Sequence, residues 1–236
     1  TITKMDLKDK NIGDSGIKFM SEALHNNETV TELHLSYNQI GDTGAQHLAN
    51  ALQNNKTLTS LILGIDYQEK QTEEFYQNST YYFTSRSSLM ATNPYDDQAN
   101  RIGDEGAKYL ADALKTNKTL TTLNLSQNSI GDVGMKYLSD GLQKNTTLMN
   151  LILGKQYAGI GDIGIQCLSD VLRDNKTLIM LDLSWNRIRD ISVQYLADAL
   201  RNNQTLINLN LKGNRIENNG LQYLANALRD NKVRLQ

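Results

Sequence analysis

Residues 159–164 read Gly-Ile-Gly-Asp-Ile-Gly. In a strand-to-helix turn, that spacing of glycines lets backbone N–H groups approach a pyrophosphate. Asp182 follows at about the place where a dinucleotide fold holds a ribose hydroxyl. The string Ile-Gly-Asp-x-Gly, however, also stands at residues 12–16, 40–44, 102–106 and 130–134, so only Gly159 is peculiar to this copy. A motif that returns with every unit of a repeat marks structure, and a chain of like units lacks the strand-order reversal that makes a dinucleotide crevice. No cofactor is expected.

Cys167 is the one cysteine, so no internal disulfide can form. A nucleophilic thiol needs a base or a cationic setting. Cys167 stands instead in a column filled elsewhere by Phe19, His47, Tyr109, Tyr137, Tyr195 and Tyr223, and the pattern places no histidine beside it. His25, His34 and His47 fall on a helix end, a strand and a helix, without metal-ligand spacing. No catalytic or metal-ligating residue is expected, and the chain is not read as an enzyme.

The elements that must position these residues follow from a period. The first core position of a strand falls at Met5, Leu33, Leu61, Leu123, Leu151, Leu181 and Leu209. Four of those steps are 28 residues, one is 30 and one is 62. Seven units therefore account for residues 1–236 as a single domain, with an insertion at 65–98 in the third unit and a two-residue insertion near Lys155–Ala158. In the second unit Leu33 and Leu35 alternate as in a strand, and Ala45, Leu48, Ala51 and Leu52 line one face of a helix. Gly41 permits a tight turn, and Asp42 is expected to cap the helix it begins. Asn54 or Asn55 is expected to end that helix in the left-handed conformation. Asn38, Asn100, Asn128, Asn186 and Asn214 recur at the turn, where an amide can satisfy loop backbone groups. Lys10 and Ala158 replace them in units one and five, so the ladder should break there. No unit can bury its apolar face alone. Stacked units give an α/β solenoid, with parallel strands on the concave face and helices on the convex face.

The stretches LHLSYNQIGDTGAQHLANAL, LNLSQNSIGDVGMKYLSDGL and LDLSWNRIRDISVQYLADAL resemble the ribonuclease-inhibitor class of leucine-rich repeats. Their Asn- and Lys-rich, cysteine-poor character is similar to that of the leucine-rich repeat effectors that intracellular bacteria inject into host cells. The resemblance implies a horseshoe that wraps a protein partner, often an enzyme whose active site it occludes. For an injected effector, the partner would be a host protein or another effector. Two alternatives stay open: a ligand-sensing segment of a larger receptor-like protein, or the substrate-binding part of an enzyme whose catalytic domain lies elsewhere.

A formal net charge of −2 gives no field to draw nucleic acid or an anionic membrane, and no apolar run reaches bilayer length. The chain opens in mid-pattern at Thr1 and reads as a fragment. Asn-x-Thr triplets recur at Asn27, Asn55, Asn117, Asn145, Asn175 and Asn203 because Asn ends a helix and Thr opens the next strand. Such sites would risk glycosylation in a secretory pathway. With the lone thiol, they point to the cytoplasm, or to host cytosol for an effector.

Strand residues between the core leucines should face the open side. The expected partner surface is Glu32, His34, Tyr37, Ile62, Asn124, Ile152, Lys155, Met180, Asp182, Trp185 and Asn210, with Trp185 as the rigid anchor. The insertion adds Tyr81 and Tyr82 at the same strand-to-helix edge. A capping-box pattern at Asp66 and Glu69 suggests a short helix near Tyr67–Gln77 within it.

Overall fold

The computed structural model describes residues 1–65 and 98–231. Among these residues, seven short strands and seven helices alternate. The strands are β1 (Lys4–Asp6), β2 (Glu32–His34), β3 (Ser60–Ile62), β4 (Thr122–Asn124), β5 (Asn150–Ile152), β6 (Met180–Asp182) and β7 (Asn208–Asn210). The helices are α1 (Gly13–His25), α2 (Asp42–Asn54), α3 (Asp104–Thr116), α4 (Asp132–Lys144), α5 (Asp162–Leu172), α6 (Asp190–Asn202) and α7 (Asn218–Asp230). The strands form one parallel sheet in chain order, and Met5, Leu33, Leu61, Leu123, Leu151, Leu181 and Leu209 lie side by side across it. Each helix packs on the next along the chain. Neighbouring strands sit about 4.8 Å apart, whereas packed helices need about 8–10 Å. The sheet is therefore the inner, concave side of an arc.

The core is a continuous file of leucine and isoleucine running from Ile17 to Leu196, fully buried in the middle units and half-buried at Met5 and Leu7 on one end and Leu209 and Leu211 on the other. Three polar ladders hold the turns around it. In the first, each turn asparagine bridges two units. Asn100 Oδ1 accepts from the N–H groups of Asn38 (3.1 Å) and Ile40 (3.0 Å), and its Nδ2 donates to the carbonyls of Leu35 (2.9 Å) and Leu63 (2.7 Å). The ladder does not break in unit five. Gln156 rather than Ala158 occupies the rung: its Oε1 accepts from Ile130 N (3.0 Å) and its Nε2 donates to Leu125 O (2.7 Å). Gln156 stands 28 residues after Asn128, so the two extra residues of this unit follow the rung instead of preceding it.

The second ladder lies where helices end. Asn55 is extended (φ −68°, ψ 131°), not left-handed. Its side chain makes the turn: Oδ1 accepts from Thr57 N and Leu58 N, while Nδ2 donates to Leu24 O of the preceding unit. Asn117, Asn145 and Asn203 repeat the arrangement and are buried. These amides are thus engaged in the fold, which explains why Asn-x-Thr recurs.

The third ladder concerns the helix starts. Asp42 does not cap its own helix. Its Oδ1 accepts from Gly103 N (2.7 Å) and Gly106 N (2.9 Å), the free N–H groups opening α3 in the next unit. Asp104 serves α4 and Asp132 serves α5 in the same way. The second glycine of each Ile-Gly-Asp-x-Gly string exists for this contact: a Cβ on Gly106 would lie 2.6 Å from Asp42 Oδ1. In unit six Arg189 and Ser192 replace both glycines. Asp162 Oδ1 is left buried there without a partner among the described residues, while its other oxygen takes the Arg189 guanidinium. Asp42→Ala should therefore cost about 1–2 kcal/mol by orphaning two N–H groups. Asp162→Ala should cost less, because it removes a capless carboxylate and only an exposed ion pair. Chemical denaturation of both variants checks this; equal losses would mean that the inter-unit caps carry no stability.

Candidate functional site

The glycine string at 159–164 has no room for a phosphate. Asp132 Oδ1 already accepts from Gly161 N (2.6 Å) and Gly164 N (3.0 Å), the N–H groups a pyrophosphate would use. The left-handed Gly159 (φ +77°) is covered by Arg187, whose Nε would lie 2.6 Å from any Cβ there. Cys167 is half-buried on α5. Burial pushes its thiol above the ordinary value; Lys136 works against this, and Asp170, Asp140 and Asp132 add to it. That is the reverse of an activated nucleophile.

The sheet face is built from two residue columns set by the strand register. His34, Ile62, Asn124, Ile152, Asp182 and Asn210 stand side by side in one, and Glu32, Ser60, Thr122, Asn150 and Met180 in the other. Glu32 is half-exposed and pairs with Lys4 at 2.9 Å. His34 is largely enclosed, its Nε2 against Ser36 Oγ and its Nδ1 3.7 Å from Asp6. Ile62, Ile152 and Met180 are partly exposed. Asp182 accepts from Ser184 N (2.8 Å) and from Asn210 Nδ2 (2.9 Å), so these two polar side chains are ordered together.

Two of the expected surface residues are not accessible. Asn124 is only 4% exposed. Its Oδ1 accepts from Ser126 N (2.9 Å) and Ser126 Oγ (2.8 Å), and a Cβ on Gly64 would lie 2.5 Å from that oxygen. Tyr37 is 7% exposed. It belongs to a column at the strand-to-helix rim in which Asp9, Tyr37, Gln127, Lys155 and Trp185 are all left-handed, with φ between 53° and 57°. Residues that adopt this conformation outside glycine are uncommon. The unit after Tyr37 carries Ile65 at this position, itself buried. The unit after Trp185 carries Gly213, on which a Cβ would lie 2.4 Å from the indole Cδ2. The indole therefore lies across a bare backbone and stays 38% exposed. Lys155 is half-exposed in the same column. Tyr81, Tyr82 and the expected helix near Tyr67–Gln77 lie outside the described residues.

Sequence reasoning missed the rest of this rim. Tyr157 is 43% exposed, and Arg187 and Arg215 are exposed two positions beyond the left-handed column. Their repeat positions gave the signal, since the same position holds Asn11 and Gln39 in the first units.

A family model described as Leucine Rich repeat matches residues 26–49, 99–111, 116–139, 174–197 and 202–225, five segments in step with the strand–helix units. The matched segments are similar to leucine-rich repeats. The fold is accordingly an α/β leucine-rich repeat solenoid. Among solved structures, "Leiomodin-1 Actin-Binding Site 2 (ABS2)" is 17% identical, with 97% of this chain and 80% of that chain covered and a TM-score of 0.37. A tropomodulin C-terminal domain from Caenorhabditis elegans is 11% identical, with 91% and 92% covered and a TM-score of 0.48. No curated protein matches the sequence. Among the described residues no helix of this repeat array is long and apolar enough to cross a membrane, and no cluster of His, Cys, Asp or Glu could hold a metal ion.

Proposed function

We propose that this repeat array is a protein-recognition module that holds a partner protein against its sheet face and strand-to-helix rim, with an enzyme inhibited or scaffolded there as the finer reading. The observation that carries it is the mixed surface on β3 to β7, where partly exposed Ile62, Ile152 and Met180 stand among the ordered polar pair Asp182 and Asn210. Apolar anchors beside satisfied polar groups suit a partner interface, while the N–H groups of the glycine string are engaged by Asp132. The cysteine-poor, Asn-rich repeats support work in a cytosol, that of a host cell if the chain is an injected effector. Tyr81 and Tyr82 of the insertion are proposed as further partner contacts.

The test starts from a partner captured on the immobilised chain and identified by mass spectrometry. Calorimetric titration of that partner should then show Ile152→Arg and Met180→Arg each weakening the complex by about 2 kcal/mol or more, since each buries an unpaired charge. Lys18→Glu and Lys136→Glu on the outer helices should bind like the parent. Loss of binding in the helix variants with normal binding in the strand variants would move the site to the convex side.

A further inference from the structure

The rim of the last two units carries a group of exposed cations. Arg187, Lys212 and Arg215 are exposed, and none has an acidic partner among the described residues. Some cations elsewhere are matched, among them Lys108 with Glu105, Lys115 with Asp112, and Arg201 with Asp198 and Asp230. Arg187, Lys212 and Arg215 lie in the turn that carries Trp185 and in the facing turn of the next unit. The Trp185 N–H donates to Lys212 O at 2.7 Å, its indole lies on Gly213, and Arg187 follows it by two residues in the same turn. Arg215 is brought alongside Arg189 by a parallel bridge. On the other flank, Tyr157 is exposed next to Gly159, which Arg187 covers.

We infer that this rim takes an acidic, extended segment of a protein partner, with Trp185 as its stacking anchor and Arg187, Lys212 and Arg215 as its charge contacts. The inference rests on the reading of the rim as part of a recognition surface and adds the chemistry of what lies there. Guanidinium groups match carboxylates in a planar fork, and an indole supplies rigid contact area between them. A nucleic acid fits less well. Its affinity comes from a long track of phosphate contacts, whereas Asp182, Asp190 and Glu217 flank this short patch in the same two units, and the chain's formal net charge is −2.

Trp185 is the only tryptophan, so its emission reports on the rim. The full chain is titrated with a tryptophan-free decapeptide of alternating Glu and Gly carrying one central Tyr. A saturable change in emission is expected, weakening steeply as salt rises from about 0.05 to about 0.3 M. Arg187→Glu, Lys212→Glu and Arg215→Glu should each weaken binding by about three- to tenfold with unchanged thermal melts, and Lys18→Glu should have no effect. The proposal is overturned if emission does not respond, if the three reversals bind the peptide like the parent, or if a decathymidylate binds more tightly than the peptide. Any of those results leaves the sheet-face reading to stand or fall on Ile152→Arg and Met180→Arg, which alter no rim residue.

Discussion

Replacing Asn100 by alanine is expected to lower the unfolding free energy by about 3 kcal/mol or more. Asn100 is almost fully buried, and its amide serves four backbone groups: Asn38 N, Ile40 N, Leu35 O and Leu63 O. A single neutral hydrogen bond contributes only about 1 kcal/mol net, but each buried group left without a partner costs about 1–3 kcal/mol. Alanine orphans all four, and water entering the vacated space can recover part of the loss. The position adds a second reason. Asn100 is the first rung after the insertion, and it ties the carbonyl of Leu63, where the chain departs, to the turn where the repeat resumes. Urea titration followed by circular dichroism measures the effect, with Asn150→Ala as control. Asn150 is half-exposed and, among the described residues, its amide donates to Thr122 Oγ1 alone, so its loss should stay within about 0.5 kcal/mol. If Asn100→Ala and Asn150→Ala melt alike, the amide ladder is not what holds successive turns together.

The contrast between these two asparagines shows what the sequence could and could not convey. Periodicity located every strand and helix among the described residues, because a core that runs through all units forces the same apolar spacing on each. It also singled out Asn100 and its equivalents as ladder residues. What periodicity could not assign was the unit to which a side chain is bonded. Asp42 looked like a cap for its own helix and instead caps α3, because Gly106 leaves a gap that only the preceding unit can fill. Gln156 looked like part of an insertion, since a longer amide does not match the Asn pattern, yet its extra methylene still reaches Leu125 O and Ile130 N.

The candidate site was legible in outline for the same reason. Alternation along a strand tells which residues leave the core, and Glu32, Ile62, Ile152, Met180, Asp182 and Asn210 do reach the open face at least in part. Alternation does not tell how far a residue on the open face is covered. Asn124 and Asp182 each lie beside a glycine of the preceding unit and each accept from the N–H two residues on, yet Asn124 is buried and Asp182 is partly exposed.

Leu125→Ala should destabilise the protein by about 2–5 kcal/mol. Leu125 is fully buried in the central unit, in the column that also holds Leu35, Leu63, Leu153, Leu183 and Leu211. Truncation removes the transfer free energy of the lost carbons and leaves a cavity that cannot close easily. The backbone on both sides of Leu125 is pinned, by Ile152 O accepting its N–H at 2.8 Å and by Gln156 Nε2 and Asn128 Nδ2 donating to its carbonyl at 2.7 and 3.0 Å. Leu211→Ala makes the same chemical change in the same column of the last unit, where the side chain is only half-buried, and should cost clearly less. Because solenoid units couple mainly to their neighbours, the central substitution should also loosen β4 and β5 more than β1 or β7 in native-state hydrogen exchange. Equal losses for the two leucines, or exchange that rises uniformly along the array, would show that the core acts as one undivided block and that position along the solenoid does not set what a buried leucine contributes.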